Sequence, residues 1–271
     1  MSDSLVLSAR DDDVVTLTLN NPVRRNAMTQ AMGEAFYAEI ERLCGDASLR
    51  AVLLTGSTEG RAFCAGGDLG MIGGHADRGS EHPGDARSAA RDTMKAFYEL
   101  FLSVRSLPCP SVAALNGHAI GAGLCIALAC DLRVADADAK FAFNFSQLGI
   151  HPGMGATWTL PRLVGPALAA DLLYTGRTLS GTEAGAIGLV SRAVPSDRVR
   201  EEADELARRI ASSAPLAVRG IKQALRQSAD RSLEAQLGYE AEQQALCYES
   251  EDLQEGLAAA REKRAPRFQG R

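Results

Sequence analysis

The fold of this chain is decided by Ala62-Phe63-Cys64-Ala65-Gly66-Gly67-Asp68-Leu69, read together with a second glycine-rich stretch, Asn116-Gly117-His118-Ala119-Ile120-Gly121-Ala122-Gly123. Each stretch follows a hydrophobic segment, and the second leads directly into the alanine-rich, apolar segment 124–130. The N-terminus of a helix carries unpaired N–H groups and about half a positive charge. Two such turns can direct paired N–H groups at one oxygen, so the sequence predicts a site that holds a developing oxyanion.

The hydrophobic segments before the two turns predict an α/β fold. Segments 51–55 and 112–115 are short and rich in apolar residues, which is typical of buried strands. Both turns are therefore placed at carboxyl ends of strands, where α/β proteins bind their ligands. Further upstream, residues 6–19 predict a β-hairpin, and Thr29 is expected to cap a helix that ends near Cys44.

The two segments between the turns are predicted to differ in secondary structure, the first being a loop and the second a helix. Residues 73–84 are polar and glycine-rich, so we expect a mobile loop that could close over an acyl group. The following segment, about 88–105, predicts a helix with a large apolar stripe on one face. The stripe fits two interpretations equally, ordinary core packing or part of the wall of an acyl tunnel. Its members are Met94, Phe97, Tyr98 and Phe101.

The C-terminal region has a helical pattern throughout. From residue 196 onward we expect three or four helices, with breaks near 213–215 and 228–230. The sequence therefore predicts a core over residues 1–195 and a helical oligomerisation region over residues 196–271.

Composition excludes several classes of function. The chain has 271 residues, 46% of them hydrophobic and 23% charged, with a formal net charge of -5. This balance argues against nucleic acid or a membrane as a partner. Six cysteines without a C-x-x-C pair, beside four histidines, predict neither disulfides nor a metal site. The first residues lack a secretory signal pattern, and no apolar run reaches the roughly 20 residues of a membrane span, so a cytoplasmic protein is expected.

Further motifs extend over nearly the whole chain. They are Asn21-Pro22-Val23-Arg24-Arg25-Asn26-Ala27-Met28, Leu148-Gly149-Ile150-His151-Pro152-Gly153-Met154-Gly155, the segment 175–190 and the tail 250–268. In this order, and with the two glycine turns, the chain resembles the crotonase superfamily, the enoyl-CoA hydratase/isomerase family. The resemblance implies a crotonase-type ββα spiral core with a C-terminal helical trimerisation region, assembled as a trimer or a dimer of trimers.

The resemblance also implies a ligand and residues that bind it. The ligand is an acyl-CoA thioester, with coenzyme A as part of the substrate and no intrinsic cofactor. The N–H groups of Gly67 and Ala122 would stabilise the enolate of the thioester. The expected CoA contacts are Arg24, Ala27, Ala62, Phe63, Ala65 and Gly66, with Phe268 and Arg271 from the tail, often of a neighbouring subunit.

The sequence departs from the family at the positions of the acid and base. When the glycines are aligned, Cys125 and Phe145 occupy the positions where hydratases of the family carry glutamates. Gly153 stands where other members carry an aspartate. Hydration of an enoyl thioester requires positioned proton transfer, which contributes about 10²- to 10⁴-fold per group. A thiol and a phenyl ring do not replace two carboxylates, so standard hydration is not expected.

His151 is the remaining candidate for proton transfer, because an imidazole titrates near neutral pH and this one lies in the second active-site loop. A solvent-facing loop histidine fits the sequence equally well. Three other polar residues near the turns are interpreted as structural: His118 as a packed, hydrogen-bonded histidine at a buried strand end, Asp131 at the end of the oxyanion helix, and Asp68 as the residue that holds the first turn.

Two classes of function stay open at this point. The first is an enzyme that processes an acyl-CoA through an enolate, as an isomerase, a hydrolase or a decarboxylase. The second is a non-catalytic acyl-CoA-binding protein that has kept the pocket. The intact glycine turns favour the enzyme, and the changes at Cys125 and Phe145 favour the binding protein.

Overall fold

Two sheets and the helices around them form the core, and the computed structural model describes residues 4–81 and 85–271. The strands are β1 Val6–Asp11, β2 Val14–Leu19, β3 Ala51–Gly56, β4 Ala62–Cys64, β5 Ser111–Leu115, β6 His118–Ile120, β7 Leu132–Asp136, β8 Lys140–Ala142, β9 Thr178–Ser180 and β10 Arg192–Val194. The helices are α1 Gln30–Cys44, α2 Leu69–Glu81, α3 Asp85–Leu102, α4 Ala122–Ala129, α5 Ala156–Val164, α6 Pro166–Thr175, α7 Gly181–Ala186, α8 Val199–Ala211, α9 Pro215–Gln227, α10 Leu233–Tyr248 and α11 Glu251–Glu262.

The larger sheet has six strands in the order β1-β2-β3-β5-β7-β10. The predicted hairpin is confirmed, because β1 and β2 pair antiparallel, and the other neighbours in this sheet pair parallel. All six residues of β3 are buried. Burial on both faces explains why this strand reads as a continuous apolar run in the sequence.

The smaller sheet has four strands in the order β4-β6-β8-β9. After β3, β5 and β7 of the larger sheet, the chain adds β4, β6 and β8 in turn to the smaller sheet. Helices follow β4 and β6 directly, so the chain winds as a spiral of ββα units. The expected ββα spiral is thereby confirmed, and the two glycine turns follow strands of the smaller sheet rather than β3 and β5.

The helix predicted after Thr29 is confirmed as α1. The hydroxyl of Thr29 accepts a hydrogen bond from the amide of Met32 at 3.2 Å, and the helix ends at Cys44 as expected. The helix predicted at 88–105 is α3, which begins three residues earlier. The rings of Phe97 and Phe101 meet edge to face with centroids 5.2 Å apart, so this part of the apolar stripe packs in the core.

The loop expected at 73–84 is wrong for residues 73–81, which belong to α2. Asp68 explains the start of this helix, because its carboxylate accepts a hydrogen bond from the amide of Met71 at 3.2 Å. The helix therefore forms in spite of its glycines. Residues 82–84 of the expected loop lie outside the described residues.

Four helices follow residue 196, in agreement with the prediction of three or four. The first of them, α8, covers the larger sheet with a stripe of small apolar residues four positions apart, Val199, Ala203, Ala207 and Ala211. By its packing α8 belongs with the core, so the division at 195/196 stays a prediction. In contrast, α10 has no buried residue. Within the described residues, no helix combines the length and the hydropathy needed to cross a membrane.

Candidate active site

The two glycine turns meet at one edge of the smaller sheet. Strands β4 and β6 pair parallel, so the turns that follow them lie side by side. Gly66 has a φ of +96°, and a Cβ at this position would lie 2.6 Å from the carbonyl oxygen of Ile120 and 3.7 Å from the amide nitrogen of Ala122. Only glycine has both the backbone freedom and the space for this approach.

Two backbone amides of these turns have no protein acceptor among the described residues. Met28 pairs with the first turn through its amide to the Gly66 carbonyl at 2.8 Å and through its carbonyl to the Asp68 amide at 3.0 Å. In such a parallel bridge the N–H of the residue between them, Gly67, faces away from Met28. Ala122 is the first residue of α4, where an amide has no partner within the helix. Both residues line the same cavity.

This cavity has a volume of about 450 Å³. Its wall is mostly apolar, and the larger side chains that line it come from α2, α3, the end of β6 and the loop after β8. They are Met71, Ile72, Met94, Phe97, Tyr98, Ile120, Phe145, Leu148, Ile150 and Met154. Size and lining are typical of a pocket for a small organic ligand. The stripe of α3 is divided, since Met94, Phe97 and Tyr98 line the cavity and Phe101 lies in the core. That the cavity takes an acyl group stays a prediction.

Four of the expected CoA contacts line the cavity, namely Arg24, Ala27, Ala65 and Gly66. The guanidinium of Arg24 forms a salt bridge of 2.7 Å with Asp68. Desolvation raises the pKa of Asp68, but the hydrogen bonds from the Met71 amide and from Arg24 outweigh it, so the pKa lies below its usual value. Asp68 therefore stays ionised, and it both caps α2 and holds Arg24.

The other expected CoA contacts lie elsewhere in this chain. Ala62 and Phe63 are buried in β4 and do not line the cavity. Phe268 packs on α11, where a Cβ on Gly256 would lie 3.5 Å from its ring. Arg271 pairs with Glu251 at 2.8 Å. The structure therefore does not bring these four residues to the cavity of their own chain, and their contact with CoA stays a prediction.

The two residues expected at the positions of the family glutamates, Cys125 and Phe145, are both uncharged. Cys125 is buried in α4, where burial and the neighbouring Cys64 raise the pKa of its thiol, so it stays protonated. Phe145 is 7% exposed and lines the cavity. Among the described residues, Asp68 is the one carboxylate in the cavity wall, and it is paired with Arg24. The described part of the cavity wall therefore has no free carboxylate for proton transfer.

His151 lines the cavity and is exposed. Its Nδ1 lies 2.7 Å from the carbonyl oxygen of Pro152. Because a carbonyl only accepts hydrogen bonds, Nδ1 carries the proton, and in the neutral ring Nε2 keeps its lone pair. The imidazole can therefore act as a base through Nε2.

Two further residues lie outside the cavity wall. His118 was expected to be a packed, hydrogen-bonded histidine at a buried strand end. It is exposed at the first residue of β6, and its Nδ1 accepts a hydrogen bond from the Lys140 amide at 3.0 Å. Asp131 accepts a hydrogen bond from the Ser111 amide at 2.8 Å and pairs with the buried Lys222 at 2.9 Å. This carboxylate therefore ties α9 to the core.

Comparison with known proteins agrees with the fold. The sequence profile described as Enoyl-CoA hydratase/isomerase matches residues 9–271. The chain is 37% identical to the 2,3-dehydroadipyl-CoA hydratase of Escherichia coli K12 over 271 residues, which cover all of both chains. This chain belongs to the enoyl-CoA hydratase/isomerase family.

Other members of the enoyl-CoA hydratase/isomerase family also match this chain over nearly its whole length. The 1,2-epoxyphenylacetyl-CoA isomerase of E. coli K12 is 35% identical to this chain and covers 98% of both chains. An enoyl-CoA hydratase from Bacillus anthracis has a crystal structure that superposes with a TM-score of 0.89 at 35% identity, over 98% of this chain and 100% of that one. The expected superfamily and fold are therefore confirmed, and CoA thioesters are the ligands that suit this family.

Across the described residues, no group of three or more His, Cys, Asp or Glu side chains is placed to hold a metal ion.

One functional candidate was not singled out by the sequence. In the sequence, Tyr98 is recognisable only as a member of the apolar stripe of α3. In the structure, its hydroxyl lies beside Gly153, which is 55 positions away in the chain.

Proposed function

We propose that this protein binds an acyl-CoA thioester and stabilises the enolate form of its carbonyl group. The observation that carries the proposal is the pair of amides of Gly67 and Ala122, which have no acceptor among the described residues and line one cavity from two touching turns. Such donors are fixed before the reaction begins, so they need no reorganisation when charge develops on the oxygen.

The two N–H groups account for a large part of the rate that such an enzyme needs. Removal of one donor from an oxyanion hole typically costs about 10²- to 10³-fold in rate. Ala122 also begins α4, so the positive end of the helix dipole adds to the same field. The mostly apolar wall limits water around the oxygen, which strengthens both hydrogen bonds.

His151 is the proposed base. Its Nε2 would take a proton from the carbon next to the thioester carbonyl, and the electron pair left behind would move onto the carbonyl oxygen held by Gly67 and Ala122. Where the acyl group carries a β,γ double bond, the enolate is conjugated with it, and the imidazolium can return the proton at the γ carbon. The double bond then lies next to the thioester, which is an isomerisation. Direct hydration is not proposed, because Cys125 and Phe145 stand where the hydratase glutamates are expected.

Arg24 is proposed to hold the phosphate end of CoA. It is 60% exposed at the cavity, and a guanidinium pairs well with phosphate oxygens. Ala65 and Gly66 line the same cavity, and the Ala65 amide donates to the carbonyl oxygen of Arg25, next to Arg24, at 3.0 Å. Phe268 and Arg271 are tied to α11 of their own chain, so they would reach CoA only in a neighbouring subunit.

Self-association as a trimer or a dimer of trimers is part of the same proposal. The last helices expose apolar side chains to an extent that is unusual for a monomer. They are Ile221, Leu225, Leu233, Leu237, Leu246 and Tyr248, which are 50% to 75% exposed. Partner subunits would cover this surface. A cytoplasmic location remains part of the proposal as well.

A non-catalytic acyl-CoA-binding protein is the second candidate, and the absence of a free carboxylate among the described cavity residues favours it. A thioester hydrolase or decarboxylase of the same superfamily would use the same two amides. The experiment that separates these functions is a screen of CoA thioesters by mass spectrometry together with the absorbance of the conjugated thioester, which reports a shift of the double bond, with the wild-type protein and His151→Ala. An enzyme changes the mass or the double-bond position of at least one ligand, and His151→Ala abolishes turnover with unchanged affinity. A binding protein returns every ligand unchanged.

A further inference from the structure

The acyl cavity contains one hydroxyl group without a protein partner. Tyr98 lies on α3 and lines the cavity with Met94 and Phe97, which are its apolar neighbours on the same helix. Among the described residues, nothing accepts a hydrogen bond from the Tyr98 hydroxyl or donates one to it. A polar group in a mostly apolar cavity loses free energy unless a ligand or water completes its hydrogen bonding.

The position of this hydroxyl depends on the absence of a side chain at residue 153. A Cβ on Gly153 would lie 2.5 Å from the Tyr98 hydroxyl oxygen and 2.7 Å from Cζ. Tyr98 therefore fills the space that any larger residue at 153 would use. The two residues act as a pair, in which the glycine admits the phenol to the cavity.

The phenol can serve as a hydrogen-bond donor at neutral pH. Burial raises the pKa of Tyr98, and the nearby Cys125 raises it further, so the hydroxyl stays protonated. Asn144 and His151 also line the cavity, but neither forms a hydrogen bond with the Tyr98 hydroxyl, and the His151 Nδ1 is paired with the Pro152 carbonyl oxygen. A bound ligand is the natural source of an acceptor for the hydroxyl.

We propose that Tyr98 determines specificity for the acyl group, and that the cavity takes acyl chains that carry an acceptor oxygen, such as a hydroxyl, a carbonyl or a carboxylate. This inference rests on the proposed binding of acyl-CoA. The Tyr98 hydroxyl donates to that oxygen, and a plain alkyl chain leaves it unsatisfied. Discrimination of this kind arises because the polar group of the site is left unpaired by the wrong ligand.

Calorimetry with two matched pairs of ligands tests the inference. The pairs are 3-hydroxybutyryl-CoA with butyryl-CoA, and glutaryl-CoA with valeryl-CoA. The wild-type protein should bind the oxygenated member of at least one pair about 2- to 10-fold more tightly, as expected for one hydrogen bond. In Tyr98→Phe this preference should fall to about one, while affinity for the alkyl member is unchanged. Tyr37→Phe is the matched control, because Tyr37 lies on α1 away from the cavity wall, and it should keep the preference.

A second variant tests the same ligand preference without removing the Tyr98 hydroxyl. Gly153→Ala places a methyl group only 2.5 Å from the present position of the Tyr98 hydroxyl oxygen, so the phenol must move and the preference should be lost while Tyr98 is still present. The inference is overturned if no oxygenated ligand is preferred by the wild-type protein, or if the preference survives in Tyr98→Phe. Failure of the proposed function looks different, because then neither member of any pair binds to any variant.

Discussion

Gly66 packs so closely against the carbonyl oxygen of Ile120 that a Cβ on Gly66 would lie only 2.6 Å from that oxygen. This approach connects the turn after β4 with the turn before α4. It sets the spacing between the amides of Gly67 and Ala122, because each of them lies one or two residues from the contact. The proposed oxyanion site therefore depends on a residue that does not itself donate to the ligand.

Gly66→Ala should separate the two turns. The substitution combines a φ of +96° with the clash against Ile120, so we expect a loss of about 2–4 kcal/mol in the free energy of unfolding. Acyl-CoA affinity should fall at least tenfold, as measured by calorimetry. Gly73→Ala is the control, since a Cβ there meets nothing within 4 Å and the position is helical. A Gly66→Ala protein with wild-type stability and affinity would show that the contact is unimportant.

Arg24→Ala should weaken the binding of CoA by about tenfold or more at low ionic strength, because it removes a phosphate contact and leaves Asp68 unpaired. The difference from wild type should shrink as salt is added, since the interaction is screened. Asp68→Asn is the matched variant, because asparagine also caps a helix and the negative charge is lost. It should bind CoA at least as tightly as wild type. Equal calorimetric affinities for Arg24→Ala and wild type would refute the assignment.

The double variant Cys125→Glu with Phe145→Glu should gain hydratase activity. The wild-type protein should leave a short conjugated enoyl-CoA essentially unhydrated, because no free carboxylate lines the described cavity wall. Either single change should do much less, since the two carboxylates act as a unit. The assay follows loss of the conjugated thioester absorbance, and mass spectrometry identifies the product. Rapid hydration by the wild-type protein would mean that another residue, with His151 the first candidate, already transfers the protons.

The assembly prediction concerns the apolar surface of the last helices. Leu233, Leu237 and Leu246 of α10 are at least half exposed in one chain, and burial of such side chains drives association. Light scattering at micromolar concentration should give three or six times the mass of one chain. Leu237→Glu should shift the protein toward smaller species, whereas the exposed Glu240→Gln should not. A wild-type monomer would refute the prediction.

The sequence predicted the long elements of the fold but not the second sheet. The continuous apolar run of β3 and the cap at Thr29 are local signals, and both elements were predicted correctly. In contrast, β4, β6, β8 and β9 have three residues each, too few for a periodic pattern. The glycines of α2 predicted a loop, and the helix forms instead with Asp68 as its cap.

The same distinction applies to the candidate site. Gly67 and Ala122 could be predicted because turns between strands and helices have a local signature, and both line the cavity. The pairing of Tyr98 with Gly153 could not, because the two residues are far apart in sequence and neither is unusual in its own segment. The Arg24–Asp68 salt bridge was missed for the same reason.

A crystal structure of the protein with acetoacetyl-CoA, whose acyl group readily forms an enolate, would measure the proposed oxyanion site directly. We predict that the thioester oxygen lies about 2.7–3.1 Å from both the Gly67 and the Ala122 amide nitrogens, as in other preorganised oxyanion sites. A bound ligand whose thioester oxygen contacts neither amide, or only one of them, would contradict the proposed function.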